Sequence, residues 1–87
     1  MSALVLPFWF KQRQAKAEPA GDNIFKLTAP NLGEAFIAIR KDETGRWLGA
    51  FKQNADGPDV EATDAIYDNP ADAWGAAFEI YRRRVVT

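Results

Sequence analysis

Short apolar-rich runs separated by turn residues fill the middle of this chain, and a helical spacing takes over near its end. Three short apolar-rich runs bounded by turn residues, Asn23–Ala29, Glu34–Lys41 and Arg46–Gln53, read as strands. Pro30-Asn31-Leu32-Gly33 supplies turn residues between the first two. Asp42-Glu43-Thr44-Gly45 separates the second and third. Aspartate first and glycine fourth suit a type I turn followed by a left-handed residue and a bulge. From Pro70 the spacing becomes helical: Trp74, Ala77, Phe78, Tyr81 and Val85 form one apolar stripe, with Ala73, Ala76 and Ile80 in a thinner strip beside it. Asp68 and Asn69 are good capping residues, and Pro70 suits a first helical position, where its missing N–H costs nothing. Asp72 in the first turn and Arg82 to Arg84 in the last match the helix dipole, so a helix is predicted over 70–85, with Gly75 on its exposed side.

The turn at Asp42–Gly45 sets the register, and register decides which residues share a face. With the bulge, Lys41 pairs with Trp47, Ile39 with Gly49 and Ile37 with Phe51. One face then carries Ile37, Ile39, Trp47 and Phe51, with Gly49 leaving a hollow for a helix side chain. The other carries Phe36, Ala38, Arg40, Leu48, Ala50 and Lys52. A plain four-residue turn would mix Phe36, Arg40, Trp47 and Phe51 on one side, so the bulged register separates the faces better and uses Gly45.

The remaining segments read less sharply. Val60 to Tyr67 is either a short, edge-like fourth strand or an irregular connector, since the acids between Asp56 and Asp64 argue against a central strand. Phe8 to Glu18 favours helix by composition, whereas Leu4 to Phe10 could equally lie extended against the sheet. The chain thus divides into an N-terminal apolar and basic segment (1–22) and a single β-β-β-α domain (23–87), with an acidic connector over 54–69. The fold expected is α+β: a three-stranded antiparallel sheet, with room for a short fourth strand, a C-terminal helix packed on one face, and a short N-terminal helix as one of the two courses open to residues 8–18.

Composition narrows the chemistry. Eighty-seven residues, 47% hydrophobic and 26% charged, suit one small globular domain. Histidine and cysteine are both absent, which removes thiol nucleophiles, disulfides, histidine bases and zinc sites built on either residue. Net charge is −1 but unevenly spread. Through Lys52 there are eight basic and five acidic residues, net +3; from Gln53 to Tyr81 seven acids and no base, net −7; Arg82 to Arg84 return +3. The apolar stretch Ala3–Phe10 is broken by Pro7 and follows no basic residue, unlike a signal peptide, and is too short to span a membrane. A cytoplasmic protein without membrane association is expected.

No motif names a substrate. The acids Asp56, Asp59, Glu61, Asp64, Asp68 and Asp72 lack the alternate spacing and central glycine of a calcium loop. Ser2, Thr28, Thr44 and Thr63 have no histidine to activate them, and no glycine-rich phosphate loop occurs. The expectation is no enzyme, no cofactor, no metal and no catalytic residue. A helix, three strands and a helix would share the element order of double-stranded RNA-binding domains. Those domains bring basic residues to the start of the last helix, where this chain has Asp68 and Asp72, so it is not assigned to them. The arginine triplet reads as the helix-dipole complement, with Glu79 pairing Arg83 one turn on.

One surface remains to be explained. A single helix covers one sheet face, and Phe36, Ala38, Leu48 and Ala50 are left on the other. Phe8, Trp9 and Phe10 folding back, a second copy in a homodimer, or another protein partner would each cover it. The leading expectation is a small non-enzymatic domain acting by protein–protein contact or self-association, with Phe8, Trp9, Phe10, Phe36, Arg40, Leu48 and Lys52 as the interaction surface. The alternative is a nucleic-acid-binding module using Arg40, Arg46 and Lys52 with the basic residues Lys11, Arg13 and Lys16, a reading that the acidic helix start disfavours.

Overall fold

The computed structural model describes residues 7–30 and 32–86; the residues before Pro7, the hydroxyl candidate Ser2 among them, and Asn31 of the first turn lie outside the described residues. The chain runs α1 (Phe8–Gln12), β1 (Lys16–Gly21), β2 (Ile24–Ala29), β3 (Gly33–Lys41), β4 (Trp47–Lys52), β5 (Asp59–Ala62) and α2 (Pro70–Tyr81), and closes on one π-helical turn, Arg82–Val86. The strands pair antiparallel in chain order. The architecture is therefore an antiparallel sheet with a C-terminal helix on one face, but with five strands rather than the three or four expected.

The β3–β4 hairpin has the bulged register: Lys41 opposite Trp47, Ile39 opposite Gly49, Ile37 opposite Phe51. Its turn is held by Asp42, whose carboxylate accepts from the Thr44 amide at 2.9 Å and the Thr44 hydroxyl at 2.5 Å. Those donors, the hydroxyl first, hold the Asp42 carboxyl below its ordinary range. Gly45 takes φ +86°, the left-handed conformation the turn requires and a side chain would strain.

The additional strand, β1, comes from residues placed with the N-terminal segment, so a boundary at 22 cuts between two paired strands. β1 is an outer strand whose side chains are almost all exposed, so no apolar alternation marks it. Pro19 is tolerated there because an outer strand can lose a donor, and the register shifts between Pro19 and Gly21. The two-residue turn Asp22–Asn23 follows, with Asn23 at φ 57°, a conformation asparagine accepts. The helical course for Phe8–Glu18 ends early: α1 stops at Gln12, and Gln14 turns the chain at φ 58°.

Val60 to Tyr67 divides between its two readings. Asp59–Ala62 is a short strand, and the rest is irregular but tied to β4. The Thr63 amide donates to Gly49 O at 2.8 Å, and Trp47 and Tyr67 exchange backbone bonds of 2.8 and 3.2 Å.

The core lies between the sheet and α2. Leu27, Ala35, Ile37, Ile39 and Phe51 meet Trp74, Ala77, Phe78, Ile80 and Tyr81. α2 starts as its sequence indicates: Asn69 Oδ1 accepts from the Asp72 amide at 2.9 Å and Pro70 is the first helical residue. The hollow at Gly49 takes helix backbone together with the Ala77 methyl, which would stand 3.2 Å from an added Cβ. A Cβ there would stand 2.5 Å from Ala73 O and 2.9 Å from Ala77 N, so glycine is what lets α2 approach. α1 adds Phe10, fully buried, with ring centroids 5.2 Å from Phe78 and 6.0 Å from Tyr81. The Tyr81 hydroxyl is enclosed with no partner, and burial raises its pKa.

The charge blocks are reconciled in space. The acidic stretch is flanked by basic ones, and pairs form across both boundaries. Arg40 grips Asp59, Arg46 lies 3.7 Å from Asp68, and Glu61 takes Arg83 at 2.6 Å and Arg84 at 2.7 Å. Glu79 accepts from Arg82 at 2.9 Å, and Arg83 reaches across to β5. Hydrogen bonds from Arg83 and Arg84 pull the Glu61 carboxyl down to about 2.

Candidate functional site

Two surfaces stand out. The first is the sheet face opposite α2. The register lines up Ile24, Ala38, Ala50 and Ala62 in one row and Lys26, Phe36, Lys52 and Asp59 in the next. Ala38 and Ala50 form a buried floor, with Phe36 and Leu48 half-buried to either side. Among the described residues no helix covers this face.

Charges on the face are arranged flat. Arg40 on β3 reaches Asp59 on β5, with Nη1 to Oδ1 at 3.1 Å and a second, tighter contact from Nη2 to Oδ2. The path between those residues crosses β4 over Ala50, so the apolar stem of Arg40 lies on the alanine floor. Asp59 in turn raises the Arg40 pKa. Lys26 binds Glu34 at 3.0 Å, and Lys52 Nζ donates to Ala55 O at 3.3 Å.

The seven residues named from the sequence do not make one surface. Phe36, Arg40, Leu48 and Lys52 share the open face. Phe10 does not: it is fully buried on the helix side. Trp9 stacks on Tyr81 there, at 6.3 Å, and Phe8 alone of the three is exposed. The aromatic triplet therefore does not fold back over the open face. A five-residue helix places Phe10 against Phe78 and Tyr81 because those two rings leave an aromatic slot at the far half of α2. Of the cations in the nucleic-acid alternative, Arg40, Arg46 and Lys52 are each engaged by an acceptor within the chain. Among the described residues no three acids cluster so as to hold a metal ion, and no helix is long and apolar enough to cross a membrane.

The second surface was not anticipated from the sequence. On the helix side, where the β1–β2 turn and the start of β4 flank the first turns of α2, there is a cleft of about 640 Å³. Its walls are Pro19, Phe25, Trp47, Pro70 and Trp74, and its polar members are Asp22 and Asn23. Phe25 and Trp74 meet edge to face at 5.2 Å. The ammonium of Lys41 stands 5.4 Å from the centre of the Trp47 ring. Its aromatic members sit on three separate elements; the available signal was that Phe25, like Leu27, alternates onto the helix face that Trp47 and Trp74 share.

No protein family, characterised protein or solved structure matches this chain.

Proposed function

We propose that this chain is a non-catalytic interaction domain that joins a second copy of itself through the open sheet face. The observation that carries the reading is the patch of Phe36, Ala38, Ala50 and Leu48 on a face that no described helix covers. Stacking two such faces about a twofold axis brings the same apolar strip against itself, the closed contact that homodimers favour. Its central charge is already matched: Arg40 and Asp59 are hydrogen-bonded to each other, so burying them strands no lone ion. The absence of histidine and cysteine supports a non-enzymatic role, and a cysteine-free chain suits a cytoplasmic setting.

Sedimentation over a range of concentrations tests this. The parent is expected to approach twice 9.7 kDa, and Phe36→Glu or Leu48→Lys to remain at 9.7 kDa with an unchanged circular dichroism spectrum. A parent that stays monomeric at every concentration, or variants that keep the doubled mass, would refute it.

A further inference from the structure

We propose that the aromatic cleft binds a proline-rich peptide segment flanked by a basic residue. The cleft and the open face lie on opposite sides of the sheet, so this site is independent of self-association.

The argument begins with polar groups that lack partners. Trp74 is 96% buried, yet among the described residues its indole N–H has no acceptor, and it is not one of the enclosed polar atoms. Trp74 lines the cleft, and its indole N–H is not fully enclosed. The Trp47 indole N–H likewise has no acceptor among the described residues. An indole nitrogen only donates, so an occupant must bring acceptors. A polyproline helix does so, because its backbone makes no internal hydrogen bonds and its carbonyls point outward.

The walls fit the same occupant. Phe25, Trp47 and Trp74 offer flat ring surfaces, and Pro19 and Pro70 close the sides. Pyrrolidine rings pack on such surfaces at little entropic cost, since the segment is already extended. A volume of about 640 Å³ accommodates a few residues of an extended chain.

Charge selects the flank. Asp22 is the charged residue of the lining and makes no ion pair among the described residues. A lysine or arginine beside the prolines would meet Asp22. A bare quaternary ammonium seated on the aromatics fits less well, because the Lys41 ammonium already stands over Trp47.

The chain holds three tryptophans, and Trp9 lies outside the cleft, so it serves as an internal control. The test titrates the ¹⁵N-labelled full chain with a synthetic Pro-x-x-Pro peptide carrying a terminal arginine. The indole N–H resonances of Trp47 and Trp74 are expected to move saturably while that of Trp9 stays. Trp47→Ala is expected to abolish the shifts. Asp22→Asn, which removes no packing, is expected to weaken binding about 2- to 5-fold, the scale of an exposed ion pair, and to leave an arginine-free peptide unaffected. Trp47→Ala should keep the parent's solution mass, and Phe36→Glu should keep peptide binding, so the two proposals fail separately. Still resonances at millimolar peptide, equal shifts with a proline-free peptide of the same charge, or shifts only with tetramethylammonium or an oligosaccharide would each overturn the proposal.

Discussion

The two faces of this sheet are made by the same strands, yet they are finished in different ways. On one, Ile37, Ile39 and Phe51 are closed over by α2, with Phe10 of α1 wedged beside Phe78 and Tyr81. On the other, Phe36 and Leu48 flank two alanines, and the covering is done by the sheet's own long side chains, Arg40 lying across to Asp59. Packing against a helix demands close fit, so the helix face uses glycine where backbone must approach backbone. The open face uses alanine and paired charges, which leave it flat.

That contrast makes unequal demands on substitution. The largest loss is expected for Phe10→Ala, which empties a fully buried aromatic site and should cost about 3–5 kcal/mol. Chemical denaturation measures it, and a loss below about 1 kcal/mol would mean that α1 is not part of the core. Gly49→Ala comes next. Its Cβ would meet Ala73 O at 2.5 Å, and backbone cannot rotate aside, so about 1–3 kcal/mol or more should be lost. A melting temperature matching the parent's would show that α2 does not sit so close.

Glu61→Gln should have the smallest effect. Bonds from Arg83 and Arg84 hold this carboxyl at about 2, below the ordinary value of 4.5. Its contribution is therefore complete above pH 4.5 and is lost as pH falls through 2. The variant should melt below the parent at pH 7, with a gap that closes toward pH 2 and narrows in high salt, because the side chain is 27% exposed. A gap that persists at pH 2 would assign the effect to packing rather than charge.

Some of this was legible in the residues alone. Asp42 and Gly45 specify the β3–β4 hairpin and its bulge, because a left-handed position with glycine is a local requirement that no distant contact alters. Asn69, Pro70 and the Trp74–Ala77–Phe78–Tyr81 stripe specify α2 for the same reason. β1 was not legible: an exposed outer strand containing Pro19 shows no alternation, and its pairing with β2 supplies the order. Nor was the role of Phe10, whose slot exists only once α2 is docked. The open face could be named because its residues share one hairpin, whereas the aromatic cleft draws on β2, β4 and α2 and required the fold.

The central claim is that the open face, which no described helix covers, takes a second copy of the chain. Paramagnetic relaxation of the Ile24 and Leu48 methyl groups by a soluble probe, compared between dilute and concentrated protein, tests it most directly. The account predicts strong relaxation when dilute and protection when concentrated, with the buried Ile37 and Ile39 protected throughout. Equal relaxation of Ile24 and Leu48 at both concentrations would contradict it.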